Sequence, residues 1–336
     1  MAKSKRADAV MFGFDFQVNA AIVLLLENVC EAESLRLEGN HEDIDIKLED
    51  GTHILAQAKS IRNSSTDFHN VRQRLREALE SLSQESKGID AKQLILITNS
   101  PNPFNEDESK RIFWGPPTHR EYSDLPTTAQ VMINKYLENI HEPLDLDIFS
   151  VQTLPFETDN DNERYKYVME AINNFVGELE LNIPGLGKQL LSVWHWSTFN
   201  NGTKKDATIR LRKKDIMWPI VVITTNIERC DNDFLELFDS GDYDEIVSRY
   251  KEVIDSCCER FEFFTKVIAD YKSYEHRGKE SAKCCDFALE KWKNYVDEFT
   301  IDGIEEDIQQ KLTQVVLYNI VRRRRDIDKI KRGTGI

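Results

Sequence analysis

The stretch that most restricts this chain is residues 43 to 59. Ile44, Ile46 and Leu48 alternate with Asp43, Asp45 and Lys47, the period of a strand with one apolar face. Asp50-Gly51 follows, a hairpin turn signal. A second strand, His53 to Lys59, sets Ile54, Ala56 and Ala58 on one side and Leu55, Gln57 and Lys59 on the other. Which faces must match decides the loop length. A two-residue loop pairs Glu49 with Thr52 and sets Gln57 opposite Ile44, mixing polar and apolar faces. A three-residue loop, Glu49-Asp50-Gly51, with Gly51 in the left-handed conformation, pairs Leu48 with Thr52 instead. Gln57 then lies opposite Asp43 and Leu55 opposite Asp45. Asp43, Asp45, Gln57 and Lys59 are thereby gathered on one face.

That face has a chemical use. Mg²⁺ takes hard oxygen ligands and usually keeps several waters. One or two carboxylates plus an amide oxygen can hold it beside a phosphate, and a lysine can orient a water or stabilise the charge developing on the phosphate. The plain alternative is a solvated polar face of an antiparallel hairpin, where Asp and Lys are common.

The elements around the hairpin predict a mixed α/β domain. Residues 14–28 read as a buried helix, Leu35 to Glu38 as a short strand, residues 67–85 as an amphipathic helix and Leu94 to Thr98 as a buried strand. Within this order, the helix opening Gly13-Phe14-Asp15-Phe16-Gln17, the strand Glu42-Asp43-Ile44-Asp45-Ile46 and the triplet Gln57-Ala58-Lys59 resemble the PD-(D/E)xK nuclease superfamily. More narrowly, they are similar to the nuclease domain of bacterial anti-phage effectors. These include the CBASS endonucleases and the Lamassu-type effector that partners an SMC-like ATPase. The resemblance is clearest over residues 12–99.

The resemblance implies a restriction-endonuclease-like mixed sheet flanked by helices. It implies an endonuclease that cuts double-stranded DNA with Mg²⁺ or Mn²⁺. The acidic metal ligand falls on Asp43 or Asp45, the second strand ligand on Gln57 and the lysine on Lys59, while the helix glutamine falls on Gln17. Gln57 stands where the broader superfamily has a carboxylate, which removes one negative charge from the metal. Glu38 adds a ligand or is an ordinary strand-end glutamate. The implied partners are a homo-oligomer, an SMC-like ATPase and an accessory subunit. The alternatives are a stand-alone restriction-type nuclease, or a non-catalytic DNA-binding scaffold with a nuclease-like fold.

The rest of the chain sets limits. The 336 residues suffice for two domains, expected as 1–156, the nuclease, and 164–336, mainly helical and regulatory. The acidic stretch Glu157 to Glu163 is the expected boundary. A net charge of −15 argues against a general nucleic-acid coat, but an enzyme needs only a local basic track. Arg72, Arg74 and Arg76 on the second helix supply one candidate track. Lys110 and Arg111, with His119 and Arg120, supply another in a proline-rich stretch, 100–128, that reads as irregular. Strands are expected near 148–154, 207–211 and 219–225, and helices near 233–240, 243–272, 278–298 and 304–325. The apolar stripe Ile304, Ile308, Leu312, Val315, Val316 and Ile320 suits packing on another helix, of this chain or of a partner. Arg322 to Arg325 and Lys329 to Arg332 form a basic tail behind it. Trp194-His195-Trp196 reads as core or interface. Six cysteines without a Cys-x-x-Cys pair, no secretory signal and no run of eighteen apolar residues suggest a cytoplasmic protein with reduced thiols. No serine or cysteine triad and no phosphate-cradling glycine loop is recognisable.

Overall fold

The structure, a computed structural model, describes residues 2–226, 234, 242, 245–250, 253, 261–299 and 305–336. All of the helix expected at 233–240 but residue 234, part of the one at 243–272, Ile304, and Cys230, Cys257 and Cys258 lie outside the described residues. The chain divides into two compact units, 1–177 with 187–216, and 178–186 with 217–336. The single cut expected at 157–163 is not where the division falls. Residues 164–177 and 187–216 stay with the sheet, where Trp194 and Phe175 pack ring to ring and the Trp194 indole donates to the Ile216 carbonyl at 2.6 Å.

Among the described residues, the first unit holds a mixed seven-stranded sheet in the order β5-β6-β4-β3-β2-β1-β7. The strands are β1 (Ala32–Leu37), β2 (Ile44–Leu48), β3 (His53–Lys59), β4 (Ala91–Thr98), β5 (Thr118–Glu121), β6 (Phe149–Thr153) and β7 (Leu211–Arg212). Strands β1, β2 and β3 form an antiparallel meander, and β3, β4 and β6 run parallel. Its helices are α1 (Ala2–Glu27), α2 (Phe68–Glu85), α3 (Asp107–Phe113), α4 (Thr127–Leu137), α5 (Asp161–Arg164), α6 (Lys166–Glu178) and α7 (Leu186–Gly202); α8 (Lys213–Thr224) begins in this unit and continues in the second.

The hairpin has the register its pattern requires. Ile44 faces Ala56, Asp45 faces Leu55 and Ile46 faces Ile54. Leu48 N–H donates to the Thr52 carbonyl at 2.8 Å, and Gly51 takes φ +88°. A side chain at that φ would be strained. Both faces of the hairpin are covered, so it is not a half-solvated sheet. Leu55 packs with Leu75, Leu79 and Leu82 of α2, while Ile44, Ile46, Ile54 and Ala56 lie buried on the opposite face, against which α1 packs.

Helix α1 starts well before residue 14, because Gly13 sits inside it rather than at its end. Its segment Ala7–Glu27 is long and apolar enough to cross a membrane, yet 56% of its most apolar window is buried. Phe16, Val18 and Ala20 to Leu24 are core residues of the sheet unit. Asp67 caps α2 by accepting from Asn70 N–H at 3.4 Å. The 100–128 stretch is not irregular as expected. It carries α3, β5 and the start of α4, with Phe104 and Phe113 buried, and its prolines fall at the joints between them. The strand expected at 219–225 is part of α8. Ile220 to Thr225 is an apolar, β-branched run whose periodicity does not distinguish a buried strand from a buried helix. The strand expected at 207–211 shrinks to β7.

The second unit contains the helices Phe261–Ser273, Lys283–Lys291, Glu306–Arg322 and Arg324–Thr334. The stripe Ile308, Leu312, Val315, Val316 and Ile320 is buried inside this unit, where helix Glu306–Arg322 packs on the two preceding helices. It therefore faces its own core and is not a surface for a partner helix. The basic tail is likewise folded. Ile327 and Ile330 are buried, Lys331 donates to Thr265 at 2.5 Å, and Arg324 lies over the Tyr271 ring.

Candidate active site

Two turns and one helix build the site. The β1–β2 connection is tight: Glu38 N–H donates to the Asp43 carbonyl at 2.9 Å and Gly39 N–H to the Glu42 carbonyl at 3.3 Å. To make it, Glu38 adopts φ +50°, a left-handed conformation costly for a residue with a side chain. Across the hairpin, Asp43 Oδ2 accepts from Ala58 N–H at 3.0 Å and from Lys59 Nζ at 3.5 Å. Gln17 reaches down from α1 towards the Glu38 carboxylate and favours its charged form. Gln17, Glu38 and Lys59 line a cavity of about 400 Å³ together with Gly13, Ser60 and Arg74.

The electrostatics are those of an acceptor-rich pocket. Burial raises the Glu38 carboxyl, and the Asp43 charge raises it further, while Gln17 and Lys59 oppose both. Burial also pushes Glu42 up to about 8, against the Gln57 hydrogen bond and helped by Asp43. Gln57, 4% exposed, spends its amide N–H on Glu42 Oε2. Its own Oε1 is buried without a hydrogen-bond partner, as are Glu42 Oε1 and Ser60 Oγ. Unpaired buried polar atoms are costly. Two carboxylates and an orphaned amide oxygen fit a hard divalent cation that keeps some of its waters. Among the described residues, no group of three or more His, Cys, Asp or Glu is placed to hold a metal by itself. The oxygens that could take such an ion, with waters, are those of Glu38, Asp43 and Gln57 Oε1.

Asp45 does not belong to that set. It lies on the same sheet face as Asp43, but Oδ1 accepts from His53 Nδ1 at 2.7 Å and Oδ2 from Arg210 Nη1 at 2.7 Å. Burial acts to raise its pKa; the Arg210 hydrogen bonds and charge, with His53, outweigh this and hold it below the usual carboxylate range. Its lone pairs are spent on structure, which leaves Asp43 as the freer of the two expected ligands.

Of the basic residues expected along a DNA path, Arg74 lines the cavity. Arg72 turns to Glu106 at 3.1 Å, on the other side of α2, as a spacing of two residues requires. Arg76 is exposed on the same flank as Arg72. Lys110 lies over the Trp114 ring at 4.5 Å, and Arg111 is exposed on α3. The cavity is not lined by these four.

Sequence reasoning did not weigh Glu42 or Ser60. Glu42 directly precedes Asp43 in a turn, where alternation no longer reports a face, and Ser60 follows the lysine with no motif to mark it. Nor did it separate the aromatic pair on α7, where Trp194 is buried and Trp196 is 66% exposed and stacked on Phe199. The chain matches no protein-family model, and no curated protein or solved structure is significantly similar to it.

Proposed function

We propose that this chain is a metal-dependent endonuclease that hydrolyses phosphodiester bonds in double-stranded DNA. The observation that carries the reading is the Asp43–Lys59 pair, whose lysine lines a cavity with Glu38 and Gln17, together with the partnerless Gln57 Oε1. Glu38, Asp43 and Gln57 would hold Mg²⁺ or Mn²⁺, which when bound supplies polarisation of a phosphoryl oxygen and a more acidic water. The protein's own part is positioning. Asp43 fixes the Lys59 ammonium, which orients the attacking water or meets the negative charge developing on the phosphate. Gln17 holds the Glu38 carboxylate in place, and Glu42 holds the Gln57 amide by its nitrogen.

The resemblance to anti-phage effectors extends the proposal to its setting. The nuclease would serve a bacterial defence system from the cytoplasm, idle in complex with an SMC-like ATPase and an accessory subunit and active as a homo-oligomer. The decisive assay is degradation of plasmid DNA by the purified full chain with Mg²⁺ or Mn²⁺, alone and with such partners. Cleavage that vanishes in EDTA and in Lys59→Ala supports the reading. A Lys59→Ala protein that folds and cuts at the wild-type rate would refute it.

A further inference from the structure

Beside the catalytic cavity lies a second one, of about 280 Å³, lined by Asp8, Phe12, Asp15, Arg62, Arg164 and His195 among others. Phe14 lines both. Arg62 follows Lys59 by three residues, just past the end of β3, and Arg164 ends α5. Both guanidinium groups lie over the Phe12 ring, at 5.0 and 5.6 Å, and the aromatic face holds them side by side. One atom sits between them. Asp159 Oδ1 accepts from Arg62 Nη1 at 3.2 Å and from Arg164 Nη2 at 2.9 Å. The Asp159 side chain is 84% exposed, so little besides those two contacts holds it there.

We propose that Arg62 and Arg164 are a clamp for a backbone phosphate of the DNA strand that enters the catalytic cavity, and that Asp159 occupies the clamp until DNA displaces it. This rests on the nuclease reading and adds the path of the substrate to it. Two guanidinium groups converging on one anionic oxygen present the geometry that a phosphate oxygen requires. Arg62 also pairs with Asp8 at 2.5 Å, and Arg164 has Asp15 at 3.9 Å and donates through Nε to the Thr158 carbonyl at 2.7 Å. These contacts orient the two side chains while the bridging position exchanges. An exposed ion pair contributes little to stability, which makes it easy to replace by a phosphate that brings its own negative charge. The clamp also answers a difficulty of charge: a chain with net −15 needs a defined basic foothold beside its active site to hold DNA.

The test is duplex binding by fluorescence anisotropy, with the full-length Lys59→Ala protein in Mg²⁺ as the uncleaving parent, across a range of salt. Arg62→Ala and Arg164→Ala should each weaken binding roughly tenfold and lower the salt slope by about one, the loss of one phosphate contact. Asp159→Ala should tighten binding several-fold, a gain that a merely structural Asp159 would not give. If the parent binds and Asp159→Ala leaves its affinity unchanged or weaker, the clamp is wrong and the nuclease reading stands. A parent that binds no DNA at any salt removes both.

Discussion

Asp43 and Asp45 stand two residues apart on one face of one hairpin and live in opposite surroundings. The Asp45 carboxylate is 3% exposed and held by a guanidinium and an imidazole. The Asp43 carboxylate is 15% exposed, with one lysine at 3.5 Å as its cationic neighbour. The difference lies in what the rest of the chain brings to each. At Asp45 the neighbouring β1 delivers Ser34, to whose hydroxyl Arg210 also donates at 2.8 Å, and the position is closed. At Asp43 the strand has not yet begun, β1 has just ended in the Glu38 turn, and the polar groups outnumber their partners. A carboxylate with its charge matched holds a fold together; one among other acceptors is left to meet a ligand.

The largest expected effect breaks the closed side. Asp45→Ala strands the Arg210 guanidinium and should cost about 3–5 kcal/mol of stability. Urea unfolding read by tryptophan fluorescence measures it, and a loss of equal size in Asp43→Ala would erase the contrast. Next comes the open side. Asp43→Ala should lower DNA cleavage by ~10²-fold or more, with the melting midpoint close to wild type, as timed gel assays and calorimetry would record. A destabilised but fully active Asp43→Ala would reverse the assignment.

A third measurement uses pH. The folded chain holds the Glu42 proton up to about pH 8, whereas the unfolded chain releases it near 4.5. The folded state therefore binds more protons across that window, and its stability falls as pH rises from about 4.5 to 8, by an amount on the order of a few kcal/mol. Glu42→Gln, neutral at every pH, should flatten that slope in thermal melts of metal-free protein. An unchanged slope would mean Glu42 is ionised in the fold. The smallest effect is expected at Arg72, whose pair with Glu106 is 41% and 35% exposed. Arg72→Ala should change stability by less than ~1 kcal/mol and leave cleavage unaltered; a tenfold drop in rate would bring the far flank of α2 onto the DNA path.

What was legible in the amino-acid order follows the range of the forces involved. The hairpin register was readable because period-two patterning and one glycine decide it within residues 43–59, and with it came the shared face of Asp43, Gln57 and Lys59. The α2 stripe was readable for the same reason. The fate of Asp45 was not, since Arg210 lies 165 residues away and no local pattern announces it. Ile220 to Thr225 misled because β-branched residues favour strands, and burial in a helix overrode that preference. Arg62 and Arg164 were passed over because their convergence depends on Phe12 and the 158–160 loop, three segments brought together only by folding.

Arg36 is 1% exposed, and its guanidinium donates to the carbonyls of Asn201, Lys204 and Ile209 at 2.7, 2.8 and 3.1 Å. Asn201 Oδ1 in turn accepts from Leu37 N–H at 3.0 Å. Every one of these acceptors is made long after the strand that needs it. At a synthesis rate of roughly 5–20 residues per second, β1 and β2 leave the ribosome on the order of ten seconds before residues 201–210 exist to neutralise Arg36 and Asp45. A nascent chain thus carries a cation and an anion that cannot be buried until those residues arrive, and the strands bearing Glu38 and Asp43 settle only then. The order of synthesis itself delays the moment at which the proposed active site can form.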